Sequence, residues 1–267
     1  MQEFDSAEII KTIVLPKTIN ETSGLEFYNK NFITHNDSGD GPSLYVFNEN
    51  GDLIKTLDLN KDANFEIENN DWEDIASDDK YLYVADTGNN FGNRSNLNII
   101  RVNKEDDYKV DGIIEILYAD QETFFPRPKH KYDAEAILVI DEQLVLFSKD
   151  RENLNTDLYL VDKFEKAAQK LTSEFDFNVN SLITGGDYKN ELHLLALVSY
   201  NSKGNQYLIL FERFDLENLE ENTFKKYKIP LERAQIESIK IIDKNTFWVT
   251  SEDEGIGNPF MYKLKVK

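Results

Sequence analysis

Glu135-Ala136-Ile137-Leu138, a turn at Asp141-Glu142 and then Leu144-Val145-Leu146-Phe147-Ser148-Lys149 form the stretch whose reading decides the fold. An acidic residue (Ser in one copy) opens a short apolar strand, a polar turn reverses it, and a second strand follows that is apolar at almost every position. Three other segments have this form: Ser23-Gly24-Leu25-Glu26-Phe27 into Phe32–Asp37, Glu73-Asp74-Ile75-Ala76 into Tyr81–Asp86, and Glu237-Ser238-Ile239-Lys240 into Thr246–Glu252. A weaker copy runs from Thr184-Gly185-Gly186-Asp187 through Lys189-Asn190 into Leu192–Tyr200. Register is held, because Glu73 to Asp86, Glu135 to Ser148 and Glu237 to Thr250 are each 13 positions. The copies start at 23, 73, 135, 184 and 237, at spacings of 50, 62, 49 and 53. A repeat of roughly 40–50 residues that holds four strands is the mark of a propeller blade.

Each copy continues with a third strand, at Leu44–Phe47, Leu97–Val102, Leu158–Val161, Tyr207–Phe211 and Phe260–Lys265. A fourth follows in the first four copies, at Leu53–Leu59, Ile113–Tyr118, Ala168–Phe177 and Thr223–Leu231. The fifth copy lacks one, and an unassigned strand, Ile9–Leu15, precedes the first copy. The pattern therefore predicts an all-β, five-bladed propeller of four-stranded blades, one domain over residues 1–267, with the N-terminal strand as the outermost strand of the last blade. Such closure removes the open sheet faces of an unfinished ring. Six blades is the alternative, with a decayed blade in the long unit before Glu135. A two-sheet sandwich fits less well, since continuously apolar second strands belong to sheets covered on both faces. Lys163–Leu171 is the one helix-like patch, with a loop as the alternative, and His193 reads as a packed mid-strand residue.

Composition narrows the function classes. With 30 Lys+Arg against 50 Asp+Glu, the formal charge is −20, which opposes binding to a phosphate backbone or an anionic membrane surface. Hydrophobic residues at 40% supply a core, and the absence of Cys excludes disulfides and thiolate metal sites. The longest apolar run, Leu194–Val198, falls far short of the ~18 residues of a membrane span. The N-terminal residues Met1–Ser6 are polar and acidic and do not form a signal peptide. A cytoplasmic protein and a mature exported domain both fit that reading.

Tyr83-Val84-Ala85-Asp86-Thr87-Gly88-Asn89-Asn90 resembles the NHL-type propeller signature, in which the Asp and Asn tie the hairpin after the second strand. Together with Asn36-Asp37-Ser38-Gly39, Trp72–Ala76 and Tyr132–Ile137, it resembles bacterial extracytoplasmic propellers of the SdiA-regulated and esterase-like phytase families. Only the second unit carries the full Asp-Thr-Gly-Asn-Asn string. The resemblance implies a propeller fold and export to the periplasm or beyond the cell. It does not imply one activity, because propellers host enzymes, binders and scaffolds alike.

First strands line the channel of a propeller, so the repeat gathers its opening residues at one mouth. Ser23, Glu73, Glu135, Thr184 and Glu237 form the expected inner ring, with Asn36, Asp37, Asp71, Asp86, Asp133, Asp187, Ser251 and Glu252 around it. Glu73, Glu135, Glu237, Asp37 and Asp86 are the candidate metal ligands, an oxygen-rich set suited to Ca²⁺. The scarce basic residues Arg94, Lys149 and Arg151, with His35, Asn36 and Glu252, are the candidate ligand-binding residues. Other roles are open to the same residues. A Glu at a blade start also serves structure by accepting backbone N–H groups, Asp86 with Asn89 and Asn90 also reads as a turn-stabilising set, and the cations also neutralise an acidic rim.

No nucleophile elbow, His-Glu-x-x-His or phosphate-binding Gly loop is present. Catalytic residues are thus not assigned. The expected function is an exported, monomeric propeller that binds a small molecule or protein at a calcium-holding mouth, with no nucleic-acid partner. A Ca²⁺-dependent hydrolase of phosphate esters or lactones and a protein-interaction scaffold are the alternatives.

Overall fold

The computed structural model describes residues 4–61, 66–231, 234–253 and 257–267. Five sheets are arranged as blades. Blade 1 is Thr22–Tyr28, Asn31–Asn36, Ser43–Phe47 and Leu53–Asp58, from the channel outward. Blade 2 is Asp74–Ser77, Tyr81–Asp86, Asn98–Asn103 and Lys109–Tyr118. Blade 3 is Ala134–Ile140, Gln143–Ser148, Thr156–Asp162 and Phe175–Phe177. Blade 4 is Leu182–Lys189, Leu194–Tyr200, Gln206–Glu212 and Lys225–Ile229. Blade 5 is Ile236–Asp243, Thr246–Ser251 and Phe260–Lys265, completed by Glu8–Val14, which pairs antiparallel with Phe260–Lys265. The five innermost strands contact one another in cyclic order, so the ring is closed by the N-terminal strand as the repeat predicts. The long connection before Glu135 forms no extra blade, which removes the six-bladed alternative.

The core is divided into five apolar clusters, one at each blade–blade interface. Trp72 with Ile75 and Val84 fills the interface of blades 1 and 2, and Tyr159 with Ile137 and Tyr83 that of blades 2 and 3. Leu197 with Phe211 and Ala136 joins blades 3 and 4, Phe247 with Ala196 joins blades 4 and 5, and Trp248 with Phe32 and Leu25 joins blades 5 and 1. Every middle strand is thus covered on both faces, the physical reason for its unbroken apolar run. Gly185 and Gly186 fit this packing because an added Cβ would stand 2.7 Å from the Glu237 carbonyl oxygen or 2.8 Å from Leu197.

Two local expectations are corrected, and one of two alternatives is removed at Lys163–Leu171. Ala168–Phe177 is not one strand: Phe175–Phe177 closes blade 3, while Gln169–Leu171 pairs parallel with Ile116–Tyr118 on the outer edge of blade 2. Lys163–Leu171 contains no helix, because the Asp162 carboxylate accepts the N–H groups of Phe164 and Glu165 and turns the chain before the Gln169–Leu171 strand. His193 is an exposed turn residue at φ 48°, not a strand residue, since a 3₁₀ turn at Asn190–Leu192 delays the strand to Leu194. Among the described residues no helix is long and apolar enough to cross a membrane.

Candidate functional site

The inner strands begin at one opening of the channel, here the upper mouth, and the backbone aims their side chains at it. In blades 3, 4 and 5 the pairing slips by one residue between Ala134 and Ala136, Ile183 and Gly185, and Ile236 and Ser238. The residues left unpaired at these bulges are Glu135, Thr184 and Glu237. A bulge re-aims its extra side chain, so three expected ring members owe their placement to the same device. Glu73 stands just before its strand, its N–H bonded to the Ala85 carbonyl at 2.9 Å. Hydroxyls stitch the ring from blade to blade: Ser23 donates to the Glu73 carbonyl, Thr87 to that of Ala134 at 2.7 Å, and Thr184 to that of Ile236 at 2.5 Å. The ring members are all buried.

The carboxylates at this mouth fall into two groups. One contains Asp133 and Glu135, both ion-paired with cations, and Glu237 beside them. Lys149, itself buried, bonds Glu135 at 2.9 Å, and Arg151 bonds Asp133 and lies 3.7 Å from Glu135. Asp133 also accepts the Asn89 N–H at 2.5 Å. Burial opposes the Lys149 charge, but Glu135, then Glu237, Tyr200 and Glu73, hold the ammonium well above its usual range. Glu237 keeps one oxygen, Oε1, buried and without a hydrogen-bond partner. Burial drives its carboxyl upward, with Lys149 pulling the other way.

The other group is Asp37, Asp71 and Glu73. One oxygen from each lies within 4.8 Å of the others, and Glu73 makes a second such set with Asp133 and Glu135. No lysine or arginine among the described residues forms an ion pair with Asp37, Asp71 or Glu73. Asp37 Oδ1 is buried without a partner. Burial, then the charge of Asp71, pushes the Asp37 carboxyl up to about 9. Burial raises Asp71 too, and it raises Glu73 strongly, with Glu135, Asp37 and Asp71 adding to the effect. Oxygens sharing one calcium lie no more than about 5 Å apart, twice a 2.3–2.6 Å bond, so this set fits a hard divalent cation. Gly88 backs onto it so closely that an added Cβ would stand 2.1 Å from Glu73 Oε1.

The remaining expected residues are placed elsewhere. Asp86 is engaged in the loop above blade 2, accepting from Asn70 at 2.9 Å, the Asp71 N–H at 3.1 Å and Arg94 at 2.8 Å. Arg94 also donates to the Gly88 carbonyl at 2.6 Å, so this pair shapes the loop that carries Asp71 and Gly88. Asn36 is tied to Thr18, Asp40 and the Glu21 N–H. His35 is buried edge-on to Trp72, with its Nδ1 3.2 Å from the Asn36 carbonyl, and burial lowers its pKa to about 4. Glu252 lies near enough to raise Asp37 and Glu237.

Asp187, expected around the upper mouth, belongs instead to a second ring, three positions further along the inner strands, to which sequence reasoning assigned no role. Lys240 lies buried between Glu26 and Asp187, its Nζ 2.8 Å from a carboxylate oxygen of each, and Asp187 also accepts the Ile241 N–H at 2.7 Å. Between the rings, the buried Asp74 carboxylate accepts backbone N–H groups from blades 2, 3 and 4: Ile75 at 2.8 Å, Ile137 at 3.1 Å and Gly186 at 3.2 Å. The repeat offset that aligns Ser23, Thr184 and Glu237 also aligns Glu26, Asp187 and Lys240, and that was the available signal.

No family model matches the chain, and neither does any curated protein. Among solved structures it is similar to a GH43 β-1,3-galactosidase solved with galactodeoxynojirimycin, at TM-score 0.55 and 11% identity, covering 97% of this chain and 94% of that one. It is also similar to a chain in a crystal structure of the mitotic checkpoint complex, at TM-score 0.51 and 10% identity over 100% and 98% of the two chains. A hypothetical protein from Leishmania major matches at TM-score 0.51 and 9% identity, over 97% and 91%. At such identities the likeness concerns the fold, an architecture that carries unrelated functions.

Proposed function

We propose that this chain is a ligand- or partner-binding propeller whose upper mouth holds a calcium ion through Asp37, Asp71 and Glu73. The observation that carries the reading is the division of the mouth: Lys149 and Arg151 serve Asp133 and Glu135, while Asp37, Asp71 and Glu73 have no ion-paired cation among the described residues. Carboxylates crowded in this way are strained toward protonation, and a bound cation relieves the strain. Three protein ligands leave coordination positions for water or for oxygens of a ligand. So small a donor set belongs with the weaker, extracellular class of calcium sites, which fits an exported protein.

Binding is favoured over hydrolysis by the condition of the other groups. His35 is buried with its basicity suppressed, and Arg94, Lys149 and Arg151 are each engaged by the chain's own carboxylates. Thermal unfolding in EDTA and in excess CaCl₂ tests the proposal. At calcium near 100 Kd the wild type gains about 2.7 kcal/mol, and Asp37→Asn and Glu73→Gln abolish the gain. A wild type that melts identically in EDTA and in calcium overturns the assignment.

A further inference from the structure

The lower opening of the channel is a cup of about 810 Å³, walled by the ends of inner strands from four blades. Phe27 of blade 1, Tyr81 of blade 2, Tyr188 of blade 4 and Phe164 of the loop after the third strand of blade 3 supply four aromatic walls. Phe27 and Phe164 are 40% and 55% exposed, unusual for large apolar side chains near a channel axis. Volume and lining are those of a small-molecule site: apolar rings with a few fixed polar groups.

Charge selects the occupant. The lining ammoniums are already engaged: Lys104 donates to the Asp78 carbonyl, Lys163 lies 3.2 Å from the Asp78 carboxylate and 3.8 Å from that of Glu142, and Lys80 lies 5.1 Å above the Tyr81 ring. The carboxylates of Asp79 and Asp141 line the cup with no hydrogen-bonded or ion-paired partner among the described residues. Asp141 lies near enough to Tyr188 to raise its phenol. The rings already gather cations from the chain itself. Arg101 stands 5.1 Å from the Tyr81 centroid and 4.9 Å from that of Phe164, and Lys240 stands 5.7 Å from that of Phe27. Aromatic faces beside unpaired carboxylates attract a weakly hydrated organic cation, by ring quadrupole and by charge together.

We propose that this lower cup is a second binding site, separate from the acidic upper mouth, for an organic ammonium or guanidinium group seated between Phe164, Phe27, Tyr188 and Asp141. The group belongs either to a free small molecule or to a basic side chain of a peptide.

Calorimetric titration tests this with choline, its uncharged isostere 3,3-dimethylbutan-1-ol, arginine amide and the tripeptide Gly-Arg-Gly. Phe164→Ala and Asp141→Asn alter exposed side chains, and Asn tolerates the φ of 52° at position 141, so both variants keep the wild-type melting temperature. The expected result is saturable binding of at least one of the cations, binding of the isostere weaker by tenfold or more, and a similar loss in each cup variant. Glu73→Gln, at the other mouth, leaves the affinity unchanged. Tightest binding of choline assigns the site to a free amine, and tightest binding of the tripeptide assigns it to a peptide side chain. Absence of saturable binding by every cation overturns the proposal. So does equal binding of the isostere, or an affinity lost in Glu73→Gln and kept in both cup variants.

Discussion

At the lower end of the channel, Lys240 faces two carboxylates at equal distance, and the backbone N–H groups of Ile241 and Phe27 take further oxygens of the same pair. At the upper end of the same channel, Asp37, Asp71 and Glu73 gather with no ion-paired ammonium or guanidinium among the described residues, and Asp37 and Glu237 each keep a buried oxygen with no hydrogen-bond partner there. The lower ring is a closed ion network, satisfied within the chain. The upper ring is an open one. A buried charge cluster left unsatisfied costs stability; the same scaffold satisfies a similar cluster further down the channel, and the proposed ion would do the same for the open one.

The largest expected effect breaks the closed ring. Lys240→Met leaves Glu26 and Asp187 buried without their cation and costs about 3–5 kcal/mol, read as a lowered urea midpoint. Calcium does not restore it. Lys149→Met at the upper ring also costs about 3 kcal/mol in chelator, but calcium on Asp37, Asp71 and Glu73 recovers part of the loss, because Glu73 lies in a close set with Glu135, the carboxylate that Lys149 leaves behind. Identical behaviour of the two variants in calcium would erase the distinction between the rings.

The next effect concerns pH. In metal-free protein the Asp37 carboxyl is raised from 3.8 to about 9, so the folded state keeps a proton that the unfolded chain has released. This contribution is full below about pH 4 and disappears as pH rises through about 9, so metal-free stability declines across that window. Asp37→Asn flattens the decline. Calcium flattens it as well and binds more tightly as pH rises, since ion and proton compete for the same oxygens. Denaturant midpoints from pH 5 to 9, with EDTA and with calcium, measure both slopes.

The contrast between the rings also shows what the sequence made legible. Blade number, strand order and closure followed from the repeat, because a covered middle strand is apolar throughout and a channel strand begins with a polar residue. Glu73, Glu135 and Glu237 were visible for that reason. The division of the mouth was not, since it depends on which carboxylates Lys149 and Arg151 reach from the end of the second strand of blade 3, a distance no spacing encodes. Asp86 has the residue type of a ligand and the hydrogen bonds of a loop organiser. Asp71 and Asp133 lay beside the ring in the repeat, but only the fold brings their oxygens into the two close sets. The lower cup is not legible in the sequence because its aromatic walls come from four blades at positions that look like ordinary strand ends and loops.

The smallest effect is the most discriminating, because its sign differs between the rings. Glu26→Gln removes a charge that bonds Lys240 and accepts the Phe27 N–H at 2.7 Å. Loss of such charge-assisted bonds costs about 1.5–3 kcal/mol. Glu237→Gln removes a buried charge whose Oε1 has no partner and whose carboxyl burial already pushes toward neutrality. In chelator that substitution is neutral, or stabilising by up to about 1 kcal/mol, because it relieves desolvation without breaking an ion pair. In calcium the sign changes if Glu237 takes part in completing the site, and the wild type then becomes the more stable of the two. Urea midpoints of both variants in EDTA and in calcium decide the matter. Equal destabilisation by both substitutions in chelator would mean that the upper ring, like the lower, is satisfied within the chain.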